Sequence, residues 1–156
     1  MSVSAARGGE AVTLHPLGCL SYGGGRQTAG ILAMVKLGEL PKPDLILFAD
    51  TGGEVPETYQ HIEQWARPTA KELEIPFEIS SYRPKGGLDL YAYSYHYRWL
   101  PQPWQRMCTR KFKVYPIEKF LRPYKKQGVR QWLGISIEES HRRRINPTSW
   151  IQNYYP

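Results

Sequence analysis

Residues 20–30 read "LSYGGGRQTAG". A serine and three consecutive glycines close a short apolar run, and an amphipathic stretch, "ILAMVKL", follows. Consecutive glycines let backbone N–H groups converge on an anion, and the start of a helix adds partial positive charge. Ser21 and Thr28 can donate hydroxyl hydrogen bonds to phosphate oxygens, and Arg26 can add charge. The pattern is not "GxxxxGK[ST]", because no lysine follows the loop, and it is not a convincing "GxGxxG" fingerprint. A plain tight turn is the competing reading.

A second place of this kind is "DTGGEVPET" at 50–58. Asp50 ends an apolar run, where a carboxylate can hold magnesium or a nucleotide hydroxyl, or can serve as a helix N-cap or turn residue. Thr51, Gly52 and Gly53 make another bare turn beside it. A third stretch, "SIEES" (136–140), again follows an apolar run. Cys108 precedes the basic run "TRKFK", whose cations favour a thiolate. It can be a catalytic thiol, a ligand of an iron–sulfur cluster completed beyond this chain, or a structural cysteine. Cys19 lies inside a strand pattern and reads as core. His15, His61 and His96 lack metal-ligand spacing with another His or Cys, and His141 stands beside three arginines, where a bound anion favours its charged form.

These residues need elements to carry them. Strand patterns occupy 15–22, 43–50, 75–81 and 129–136. Helical patterns occupy 27–38, with Ile31, Leu32, Val35 and Met34 on the inner face, then 56–74 and 113–127. Pro56 suits a first helical turn, Pro68 should kink or split its helix, and Gly128 suits a C-cap. The order predicts an α/β domain, a mainly parallel Rossmann-like sheet with helices on both faces. Ligands of such sheets sit at the carboxyl ends of strands, and all three unusual stretches fall there. Their coincidence predicts one shared site.

At 156 residues the chain is long enough for one domain with a sizeable core: residues 1–14 read as a flexible leader and 15–156 as the domain. No apolar run approaches a membrane span and no secretory signal is present; with two cysteines, the expected compartment is the reducing cytoplasm. The net charge of +7 is uneven, −2 over residues 1–105 and +9 over 106–156. The basic third suits nucleotide phosphates, sulfate or nucleic acid, or consists of solvated helix faces. The insert at 82–108 holds five tyrosines and two tryptophans. Its "YAYSYHY" alternates, as a strand with a tyrosine face would, and it can equally be a flexible lid. Tyr91, Tyr93, Tyr95, Tyr97, Trp99 and Trp104 could stack bases beside Arg98 and Arg106, or pack as a lid or an interface.

"SYGGGRQT" followed by "FADTGGEVPETYQHIEQW" resembles the phosphoadenosine phosphosulfate (PAPS) reductase family, within the adenine nucleotide alpha-hydrolases or PP-loop ATP pyrophosphatases. "CTRKFKVYP" (108–116) and "LGISIEESHRRR" (133–144) are similar to two later segments of that family, so four motifs in order span about 17–144. The resemblance implies an adenine-nucleotide site for ATP with magnesium, PAPS or adenylyl sulfate. It implies sulfur transfer or reduction, or ATP-dependent adenylation, with a redox partner or with tRNA or DNA as acceptor. Ser21, Gly23, Gly24, Gly25, Gln27 and Thr28 would line the phosphate loop, and Asp50, Thr51 and Gly52 would lie beside the nucleotide. Arg110 and Lys111 would face phosphate or sulfate, and Glu139, Ser140 and Arg143 would close the far side. Asp50, Lys111 and Arg143 are the candidates for catalysis. Three departures stand out. Gln27 replaces the pyrophosphatase aspartate, Ser136 replaces an expected arginine, and no C-terminal catalytic cysteine or CxxC pair is present. The ending "WIQNYYP" reads as truncated.

Overall fold

The computed structural model describes residues 15–84, 86–100, 102 and 106–156. The leader assigned to 1–14 and the stacking role assigned to Trp104 lie outside the described residues. Five strands form one parallel sheet: β1 (Leu17–Tyr22), β2 (Leu45–Asp50), β3 (Phe77–Ser81), β4 (Val129–Trp132) and β5 (Ile151–Tyr154), in the order β3-β2-β1-β4-β5. The first four match the sequence patterns. The fifth was not expected: it is a short edge strand of mixed polarity, held in register on β4 from Val129↔Ile151 to Trp132↔Tyr154.

Alternate residues of each strand face opposite layers. Leu20, Tyr22, Ile46, Phe48 and Trp132 pack against helix α1 (Arg26–Lys36) and the long helix after β2. Cys19, Leu45, Leu47, Val129 and Ile151 pack against Leu121, with Ile117 and Phe120 beside it. Cys19 is core, as its strand position implied. Ile31, Leu32 and Val35 are buried on α1, but Met34 is 39% exposed and does not join them.

Pro68 does not split its helix. The path runs from α2 (Pro56–His61) through a wide π turn (Ile62–Ala66) into α3 (Arg67–Glu72). The same device precedes Pro116, where α5 (Met107–Thr109), a π turn (Arg110–Val114) and α6 (Tyr115–Leu121) follow without a break. In each case the N–H just before the proline reaches back five residues, from Arg67 to Ile62 and from Tyr115 to Arg110. The wide turn relieves the clash between a proline ring and the carbonyl four residues back. The last helix therefore starts six residues before the sequence pattern placed it and ends at Leu121, where a 3-10 turn at Arg122–Tyr124 takes over.

"YAYSYHY" is not a strand. It forms helix α4 (Leu90–His96), capped by the Asp89 carboxylate, which accepts a hydrogen bond from the Ala92 N–H at 2.8 Å. Tyr93 turns inward and Tyr97, 57% exposed, packs over it as an i, i+4 pair with ring centroids 4.6 Å apart, while Tyr91 and Tyr95 face outward. No helix among the described residues is long and apolar enough to cross a membrane.

Candidate functional site

A parallel sheet brings the ends of β1, β2 and β4 to one edge, and its strand order reverses between β1 and β4. A crevice opens at such a reversal. The Gly23–Gly25 turn leads from β1 into the start of α1. Gly24 has φ +71°, and a Cβ there would lie 2.5 Å from Thr58 Cγ2 on α2. Thr28 braces the turn, accepting from the Gly23 N–H at 3.3 Å and donating to the Gly25 carbonyl at 3.2 Å. The loop after β4 lies against the same helix start. A Cβ on Gly134 would come within 2.9 Å of the Thr28 nitrogen, and Gln27 Nε2 donates to Glu139 Oε2 at 3.4 Å. Arg142 holds the other Glu139 oxygen at 2.6 Å, in the same short 3-10 turn as Ser140.

The turn after β2 is fastened by its own residues. Asp50 Oδ1 accepts from the Gly52 N–H (2.8 Å) and the Tyr59 hydroxyl (2.7 Å), and Arg83 holds Oδ2 at 3.0 Å. Gly52 has φ +70° and packs so closely on Asp89 that a Cβ would meet it at 2.5 Å. The Leu90 N–H donates to the Thr51 carbonyl, so α4 is seated on this turn. Both Asp50 oxygens are engaged, one by a guanidinium. Among the described residues no three His, Cys, Asp or Glu side chains converge as a metal site.

Burial, with the Asp50 hydrogen bond and charge added, pushes the Tyr59 phenol up to about 12 from an ordinary value of 10.0. The unfolded chain therefore releases this proton about two pH units before the folded one, so stability is full below pH 10 and falls between pH 10 and 12. Burial raises the Tyr22 phenol as well. Tyr59→Phe is accordingly expected to make this alkaline fall shallower without removing it, as measured by urea unfolding across that range. An unchanged slope would disprove the assignment.

Beside the β1–β4 crevice lies a cavity of about 780 Å³. Ser21, Gln131, Arg110, Lys113, Arg144 and Glu118 are among its lining residues. Its back wall is a chain of amides. Gln131 Nε2 donates to Ser21 Oγ (2.7 Å), and Asn146 Nδ2 donates to Gln131 Oε1 (3.3 Å) and Asn153 Oδ1 (3.0 Å). Lys113 also pairs with Glu54 at 2.8 Å, which ties the cavity to the β2 turn.

The structure thus gathers Ser21, Gly23, Gly24, Gly25, Gln27, Thr28, Asp50, Thr51, Gly52, Arg110 and Glu139 along one edge. Three other candidates point elsewhere. Lys111 donates to the Tyr93 hydroxyl at 2.7 Å beneath α4, a bond that raises its pKa. The Arg143 guanidinium lies 5.3 Å from the centre of the Tyr155 ring. Cys108 sits half-buried on α5, and Cys19, the other cysteine, is enclosed in β1. Tyr22 and His61 share a 2.8 Å hydrogen bond in the packing behind the glycine turn. Sequence reasoning missed Lys113, Arg83, Gln131 and the asparagines. Lys113 alone had a visible signal, its place in the basic run two residues beyond Lys111.

An all-parallel sheet with its order reversed at glycine turns defines a Rossmann-like α/β domain. The phosphoadenosine phosphosulfate reductase domain family matches residues 18–156, and the chain belongs to that family. Among solved structures, phosphoadenylyl-sulfate (PAPS) reductase from Candida auris, as a phosphate complex, is similar in fold. Its TM-score is 0.54 at 22% identity, over 94% of this chain and 68% of that one. No curated protein matches the sequence.

Proposed function

We propose that the domain binds an adenine nucleotide bearing phosphate or sulfate across the β1–β4 crevice, for sulfur or adenylyl transfer. The observation that carries this is the cavity itself. Three cations, Arg110, Lys113 and Arg144, line one space with Ser21 at the end of β1, where a parallel sheet offers its ligand site. Gly24, Gly25 and the start of α1 would present backbone N–H groups to the anion. The amide wall of Gln131, Asn146 and Asn153 suits the neutral, hydrogen-bonding part of a nucleotide. The cations would offset charge that builds on a phosphate leaving group as a bond to it breaks.

The test is a thermal-shift panel of ATP with magnesium, PAPS, adenylyl sulfate, adenosine bisphosphate and GTP. A rise in melting temperature with an adenine nucleotide, absent with GTP and reduced in Lys113→Ala, is expected. A flat panel at millimolar ligand would refute the proposal. The strongest ligand separates the two chemistries: PAPS or adenylyl sulfate for sulfur transfer, ATP for adenylation.

A further inference from the structure

We propose that a second subsite adjoins the nucleotide cavity and takes one nucleotide unit of a single-stranded nucleic acid. A hollow of about 380 Å³ is walled by Tyr82, Met107, Arg110, Lys111 and Tyr115. Arg110 and Tyr115 also line the 780 Å³ cavity, so the two spaces share a wall. The inference rests on the proposed function for what fills the first space, and on its own walls for what fills the second.

Those walls are aromatic and cationic. The Tyr82 and Tyr115 rings meet edge to face, 5.5 Å between centroids at 88°. One ring can stack on a planar base while the other borders it. Met107, 38% exposed, adds a soft apolar edge. Arg110 and Lys111 supply positive charge for a phosphate, and no carboxylate is among the described lining residues.

The same chemistry continues outside the hollow. Lys111 donates to Tyr93, and the Tyr93 ring meets Trp99 edge to face at 6.4 Å. Trp99 in turn lines an open groove with Tyr95, His96 and Arg98, again with no acid among the described lining residues. Tyr95 is 88% exposed. Aromatic and cationic side chains thus alternate: Tyr115 with Arg110, Tyr93 with Lys111, Trp99 with Arg98. A single strand presents base and phosphate with that alternation. A duplex hides its base faces, and a peptide carries no regular anion.

The experiment is fluorescence anisotropy of a short labelled oligothymidylate and oligouridylate with the whole chain. Saturable binding that weakens steeply with salt is expected. Met107→Glu, which places a carboxylate in the hollow, should lower affinity roughly tenfold or more, and Met107→Leu should retain it. The adenine-nucleotide thermal shift should survive in both variants, because Met107 does not line the larger cavity. Absence of binding, or equal affinity in Met107→Glu, overturns the proposal. So does equal binding of free thymidine monophosphate, of a duplex or of polyglutamate. A flat adenine panel with Met107-dependent strand binding would remove the first-cavity reading alone; a positive panel without strand binding would remove this one alone.

Discussion

Gly24→Val is expected to abolish the thermal shift given by the best adenine nucleotide and to lower the melting temperature of the free protein. Two independent costs combine at this position. The backbone stands at φ +71°, and a side chain there costs about 1–2 kcal/mol. A Cβ would also lie 2.5 Å from Thr58 Cγ2, so the turn must part from α2. Even the backbone cost alone corresponds to a fall of roughly 2–8 °C in melting temperature. On the proposed binding mode, moving the turn also moves the N–H groups that would meet the anion, so binding should fall further than stability does. Gly30→Ala is the control. It lies in α1 with nothing within 4 Å of its Cβ position, and it should be neutral or stabilising by about 0.5–1 kcal/mol. If Gly24→Val kept the full nucleotide shift, the three glycines would be only a tight turn.

Phe112→Ala should be among the most destabilising single changes outside the sheet, at about 3–5 kcal/mol in urea unfolding. Phe112 is 1% exposed, in the wide turn before Pro116. Its ring meets Tyr82 and Tyr93 edge to face, each at 5.5 Å, and so joins the end of β3 to α4. Removing it leaves a void between three elements and loosens the Tyr93 partner of Lys111. Tyr95→Ala, by contrast, trims a nearly free ring and should change stability by less than about 0.5 kcal/mol. A loss below about 1 kcal/mol in Phe112→Ala would show that α4 does not depend on this knot.

The parts of the molecule that follow one local rule were legible from sequence. "LILFAD" is a continuous apolar run, and it became the fully flanked strand β2. Ile31, Leu32 and Val35 keep a helical period and bury together. The misses came where two rules competed. The tyrosines at 91, 93, 95 and 97 alternate like a strand, yet Asp89 caps the segment and the i, i+4 contact of Tyr93 with Tyr97 fixes a helix. Pro68 and Pro116 are helix breakers by rule, but a wide turn one step upstream absorbs each. Strand β5 has too few apolar residues to announce itself, and its register comes from β4.

The candidate site divided along the same line. The glycine turns, Asp50 and Glu139 carry signals in their own neighbourhoods. Arg83, Gln131 and Asn146 do not, because each becomes relevant only through a partner on another element. Arg83 meets Asp50, Gln131 meets Ser21, and Asn146 meets Gln131 on β4. Choosing between Lys111 and Lys113 required the helix phase. Both lie within the wide turn, Lys111 bonded to Tyr93 under α4 and Lys113 at the cavity.

The seam between β1 and β4 also has a bearing on time. These strands pair side by side, Leu17 with Val129 and Leu20 with Trp132, although residues 23–128 lie between them. Loop closure makes such a pairing a slow event relative to the neighbouring β1–β2 and β2–β3 crossovers. The sheet is therefore expected to grow outward from β1, β2 and β3 and to be sealed late by β4. Because the cavity straddles that seam, ligand binding during refolding should lag behind the recovery of helical signal and report the last closure of the sheet.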